Sequence, residues 1–209
     1  MLAWRLLAAA VLALSACTAS AGGPQEPGSG EALAWREGSF RWHYNPADEP
    51  TWLEPGEGLA LFQEAAKLWA PCGPSIEFMG PSSQPVGTMD RVNVMGWKEF
   101  SAPGLRGLTW RRHGAAGLRE ADVGINSRQS QLQVRTLLRK VVAHEFGHAL
   151  GLVHSSDCRA IMSFGAACAH VPLSRLPQQP NGSDWDQCRH RYGASAPPDP
   201  FATTNKITN

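Results

Sequence analysis

The segment His144-Glu145-Phe146-Gly147-His148-Ala149-Leu150-Gly151-Leu152-Val153-His154 constrains this chain more than any other, because its spacings suit a helix followed by a sharp turn. Residues four apart on a helix lie one turn along and about 40° around, so His144 and His148 can aim their imidazoles at one ion. Gly151 has no Cβ and can enter the left-handed region, ending the helix and swinging His154 back as a third ligand. Neutral imidazole suits Zn²⁺. Three protein ligands leave one tetrahedral position open, the pattern of a catalytic rather than a structural ion. Glu145 follows the first ligand, so it points beside the metal, where it can take a proton from the attacking water. Met162, in Ala160-Ile161-Met162-Ser163, comes eight residues after His154, where a tight turn can set a thioether beneath the imidazoles.

These residues resemble the metzincin metallopeptidases, in which the extended histidine motif is followed by a methionine turn. Ser155 directly after the third histidine, and the run from His154 to Met162, resemble the matrixin branch. The likeness is close over Val141 to Ser163 and weaker but orderly from Ser39 to Gly193. It implies an α+β fold: a twisted mixed sheet, two long helices and a smaller part after the third histidine. It also implies one catalytic zinc ion held by His144, His148 and His154. Glu145 is then the catalytic base, with Gly151 and Met162 supporting the site. Zinc-dependent hydrolysis of internal peptide bonds in extended protein substrates is the expected activity. The alternative is a surface binding lipoprotein that keeps the zinc fold without turnover.

Arg5 followed by the apolar stretch Leu6 to Leu14 and by Leu14-Ser15-Ala16-Cys17 reads as a signal peptide, too short for a comfortable membrane span. Its ending resembles the lipobox of bacterial lipoproteins, making residues 1–16 a leader and Cys17 a lipidated N-terminus. Lipoprotein sorting then favours the outer membrane in a double-membraned bacterium, since Thr18 is not an aspartate. Residues 17–34, rich in Gly, Pro, Ser and Ala, read as a flexible tether. Residues 35–193 suffice for one catalytic domain, and residues 194–209 offer few core side chains and read as a disordered tail. No inhibitory propeptide of useful length is expected before residue 35.

Besides Cys17 there are Cys72, Cys158, Cys168 and Cys188, an even set that suggests two disulfides in an oxidising compartment. Four cysteines allow three pairings. Cys158 with Cys168, bracing the methionine turn, and Cys72 with Cys188, tying the first helix to the last, is the favoured one. A formal charge of +1 from 19 basic and 18 acidic residues implies no nucleic-acid partner. Calcium is not indicated, because no acidic calcium loop is evident. A monomer is expected.

Leu59, Phe62, Ala66 and Trp69 recur at helical spacing, with Pro71 ending the helix. Ile76 to Phe78 and Val92 to Val94 alternate as strands, Leu132 to Leu150 reads as the ligand-bearing helix, and Asp184 to Tyr192 reads as a short helix capped by Ser183. Between these, Gly and Pro imply long surface loops. Ala121-Asp122-Val123-Gly124-Ile125-Asn126 reads as a strand with Val123 and Ile125 in the core. The resemblance makes it the sheet edge to which substrate backbone pairs, so Ala121, Asp122, Val123 and Gly124 are expected substrate contacts. Selectivity is assigned to a pocket walled by Ser163 to His170, including Ser163, Phe164 and Gly165, and suited to a medium or large apolar side chain.

Overall fold

Strand β1 (Ser39–Asn45) buries Phe40, Trp42 and Tyr44, alternate residues that one face of a strand presents together. On that face lie helices α1 (Glu57–Trp69) and α2 (Arg135–Ala149). Trp42 meets Phe62 of α1 and stands edge-on to Phe146 of α2, as does Phe40. Trp69 closes the layer: its indole N–H donates to the Ala143 carbonyl at 2.8 Å, pinning α1 to the turn that precedes the first histidine. The computed structural model describes residues 33–35, 38–164 and 168–193. The leader, Cys17, most of the tether, Gly165 to Ala167 and the tail from residue 194 lie outside the described residues.

The remaining strands are β2 (Ser75–Pro81), β3 (Val94–Lys98), β4 (Gly107–Gly114) and β5 (Gly117–Asn126), giving a sheet ordered β2-β1-β3-β5-β4. All neighbours are parallel except β4, which runs antiparallel to β5. The expected α+β architecture with a mixed sheet is therefore observed. Helix α3 (Gly182–Tyr192) follows the third histidine and completes the fold.

Four expectations need correction. The strand carrying Ala121, Asp122, Val123 and Gly124 is interior: Val123 pairs with Met95 of β3 on one side and Thr109 of β4 on the other. Its hydrogen-bonding groups are taken, so no substrate strand can add there. The edge is β4. Second, Leu33 and Ala34 are docked rather than tethered. Leu33 is buried, and the Ala34 carbonyl accepts from Leu118 N–H at 2.9 Å, because an apolar side chain at this point has a hydrophobic seat beside the end of α2. Third, α2 starts at Arg135, since Val134 is extended and Ser130–Gln133 form a separate 3-10 turn. Fourth, α3 is capped by Asn181, whose side chain accepts from Ser183 and Asp184 N–H while the Asp184 carboxylate returns a bond to Asn181 N–H.

The long loop between β2 and β3 is held by carboxylates of β5. Asp122 accepts from Gly87 and Val94 N–H at 2.6 and 2.8 Å, and Glu120 accepts from Arg91 N–H. Burial raises the Asp122 carboxyl to about 6, with those two N–H groups opposing the shift. Both sequence-favoured disulfides are present: Cys72–Cys188 joins the end of α1 to α3, and Cys158–Cys168 brackets the methionine turn.

Candidate metal centre and cleft

Helix α2 delivers His144 and His148 to the floor of a cleft of about 910 Å³. Gly151, at φ +88°, then reverses the chain. The turn is a Schellman closure: Leu152 N–H bonds the Gly147 carbonyl and Gly151 N–H the His148 carbonyl. A Cβ on Gly151 would stand 2.0 Å from the Leu33 carbonyl oxygen, so glycine is required here by conformation and by contact. Three residues later His154 faces the other two rings.

The three rings converge through Nε2. His148 Nε2 lies 3.1 Å from His144 Nε2 and 3.1 Å from His154 Nε2. The opposite nitrogens are committed: His144 Nδ1 bonds the Ile161 carbonyl at 2.9 Å and His148 Nδ1 the Leu152 carbonyl at 2.8 Å. A carbonyl only accepts, so each Nδ1 carries the proton and each Nε2 presents a lone pair. Lone pairs gathered this closely repel unless a cation lies among them. Tetrahedral Zn²⁺ with Zn–N distances of about 2.0–2.1 Å would set its nitrogens about 3.3 Å apart. The observed spacing fits that ion, and the three histidines form the one metal-suited group of three or more side chains among the described residues.

Electrostatics agree. Burial holds His148 down at about 3 and His144 well below the usual imidazole range, with neighbouring cationic groups adding to the effect. Both rings therefore stay neutral and ligand-competent at ordinary pH. Glu145 is buried among them. Thr109 on β4 brings its hydroxyl oxygen 2.7 Å from Glu145 Oε2 and 3.0 Å from the Glu145 carbonyl oxygen.

Met162 is fully buried, and its sulfur lies against Gly147, where a Cβ would come within 2.4 Å. The turn that carries it is held by Asp184 of α3, which accepts from Ile161 and Met162 N–H at 2.8 and 3.1 Å. Ser155 closes the same turn, donating N–H to the Met162 carbonyl at 2.7 Å. The sequence reading gave Asp184 only a helix-forming role. The Asn181-x-x-Asp184 spacing fits the observed capping box, in place of the expected Ser183 cap, but nothing in it marks the tertiary bonds.

The cleft lies between β4 and residues of the stretches 158–164 and 168–176. Ser163 is buried, whereas Phe164 is half-exposed with its ring centroid 4.6 Å from that of His154. Gly165 lies outside the described residues. Leu137, Val141, Leu173 and Leu176 supply apolar lining. Lys140, missed in the sequence, donates to the Ser163 carbonyl at 2.9 Å, and burial lowers its ammonium to about 8. His113 also lines the cleft, apart from the triad; His43, His170 and His190 do not join the triad.

A helix-borne histidine pair, a glycine turn to a third histidine and a methionine turn beneath them make up a metal site of the metzincin type, suited to zinc. The matrixin family model matches residues 41–179, and the chain belongs to that family. It is similar to stromelysin-3 of Xenopus laevis, 37% identical over 76 residues, covering 36% of this chain and 15% of that protein. It is also similar to archaemetzincin of Methanocaldococcus jannaschii, 34% identical over 74 residues and 35% of each chain. The matches thus span about a third or less of these relatives' own lengths. A solved archaemetzincin from Methanopyrus kandleri aligns over 76% of this chain and 98% of its own, with a TM-score of 0.47 and 17% identity.

Proposed function

We propose that this protein is a zinc-dependent endopeptidase acting on extended protein segments outside the cytoplasm. The observation that carries the reading is the buried carboxylate of Glu145 beside three imidazoles whose Nε2 atoms converge, all opening onto one cleft. His144, His148 and His154 would hold the ion. Zinc bound there supplies Lewis acidity, lowering the pKa of water and polarising a carbonyl.

The chain's own groups do the rest. As water oxygen bonds to the scissile carbonyl carbon, Glu145 accepts the proton released, and it returns that proton to the amine as the C–N bond breaks. The outer edge of β4 offers backbone groups for antiparallel pairing with an extended peptide, which supports affinity with little sequence demand. Selectivity falls to the pocket beside the ion. Leu137, Val141, Leu173 and Leu176 support the acceptance of an apolar side chain, in a lining that also carries Lys140, Arg106 and Ser163. Export and lipid anchoring at Cys17 rest on the lipobox resemblance, and the two disulfides are of the kind that persist in oxidising compartments.

Hydrolysis of a quenched peptide library by wild type and Glu145→Ala tests the reading. Loss of turnover by about 10²–10⁴-fold with zinc retained is expected. Near wild-type turnover in the variant would overturn it.

A further inference from the structure

We infer that Thr109 is the positioning residue for the general base, its hydroxyl fixing the Glu145 carboxylate for proton transfer. The inference rests on the peptidase reading and adds a residue from the opposite wall of the cleft. The Thr109 hydroxyl oxygen lies within hydrogen-bond reach of two oxygens of the same residue, Glu145 Oε2 at 2.7 Å and the Glu145 main-chain carbonyl at 3.0 Å. One proton shared between the root and the tip of a single side chain restricts its torsions more than a bond to the tip alone. A glutamate otherwise samples many rotamers, and each costs alignment with the reacting water.

The strand is shaped for this contact. Gly107 is two residues before Thr109 and so faces the same side of β4. A Cβ at Gly107 would stand 2.7 Å from Glu145 Cγ and 3.0 Å from Oε1. The glutamate stem thus passes over the bare backbone of Gly107 while its head meets the Thr109 hydroxyl. The hydroxyl also tolerates the proton cycle, since it can donate to Oε2 whether or not the carboxyl has taken a proton on its other oxygen. Because β4 is also the edge strand proposed to pair with substrate, the strand that would set peptide register sets the base as well.

Thr109→Val removes the hydroxyl at nearly constant shape, and Thr109→Ser keeps it. For the valine variant a fall in kcat of about 10–100-fold is expected, with KM within about twofold and zinc content unchanged. The serine variant should stay within about threefold of wild type in kcat. Melting of the metal-free protein adds a readout independent of turnover: Thr109→Val and Glu145→Ala should shift Tm non-additively, because the second substitution finds the contact already gone. A valine variant with wild-type kcat, a serine variant as slow as valine, or additive Tm shifts would overturn the assignment. Inactive wild type defeats the peptidase reading instead. Active wild type with equally active valine defeats only this one.

Discussion

Removing each disulfide separately should divide stability from catalysis, in an order set by loop length and position. Cys72 and Cys188 are 116 residues apart, Cys158 and Cys168 only 10. Loop-closure entropy assigns the long bridge about 5 kcal/mol and the short one about 2.7 kcal/mol against the unfolded chain. For a domain of this size each kcal/mol moves Tm by about 2–4 °C, so the expected losses are about 10–20 °C and about 5–10 °C. Cys72 and Cys188 are both fully buried, and replacing them also leaves a small void, which adds to the first figure. Activity should follow the opposite order. Cys158 and Cys168 line the cleft on either side of Met162 and Ser163 in the chain, whereas the long bridge joins the end of α1 to α3 and is not part of the cleft lining. Calorimetric melts and kcat/KM well below both transitions should be measured for the Cys72→Ala/Cys188→Ala and Cys158→Ala/Cys168→Ala pairs. The first pair should keep kcat/KM within about threefold, and the second should lose on the order of tenfold as the wall loosens. If the short-loop pair melts lower than the long-loop pair, the entropic reasoning fails.

Three further outcomes follow from the geometry. In metal-free protein the folded pKa of His148, about 3, lies below its unfolded value of 6.5, so its stabilising contribution is full above pH 6.5 and is lost as pH falls towards 3. Asp122 and Asp184 shift the other way, so the clean measurement is a difference: in urea titrations between pH 6.5 and 4, His148→Gln should flatten the pH slope of wild type by up to about 1.4 kcal/mol per pH unit. Gly151→Ala forces a left-handed alanine into the Leu33 carbonyl and should cost at least about 2 kcal/mol while weakening zinc affinity through His154, as read by chelator competition; unchanged affinity would sink the turn argument. Asp184→Ala strands two buried N–H groups under Met162 and should lower stability by about 2–4 kcal/mol in denaturant melts, against a surface-type loss below about 0.5 kcal/mol if the bonds are idle.

The metal site was legible because its chemistry is local. His144, His148, Gly151 and His154 are fixed by helix spacing and one turn, and Met162 follows closely in the chain. Glu145 came with them. Its partner did not: Thr109 is 36 residues away, and no periodicity in β4 marks a threonine that faces a carboxylate rather than solvent. The edge strand was misassigned for a related reason. Val123 and Ile125 alternate as any half-buried strand does, and only the pairing of β5 on both sides separates interior from edge. Leu33 looked like tether because its neighbours are Gly, Pro, Ser and Ala, yet its side chain is buried and Trp35 just after it donates its indole N–H to the Ala149 carbonyl at 2.8 Å. Lys140 was hidden because nothing local marks its burial; its ammonium finds the Ser163 carbonyl, 23 residues on.

X-ray absorption at the zinc edge of the purified protein, with metal analysis on the same sample, reaches the root of the account. One zinc per chain is expected, bound by three imidazole nitrogens at about 2.0–2.1 Å with a light-atom ligand at the fourth position, and the signal should vanish in His148→Gln. Folded protein that binds no stoichiometric zinc, or an ion whose spectrum survives loss of His148, would contradict it.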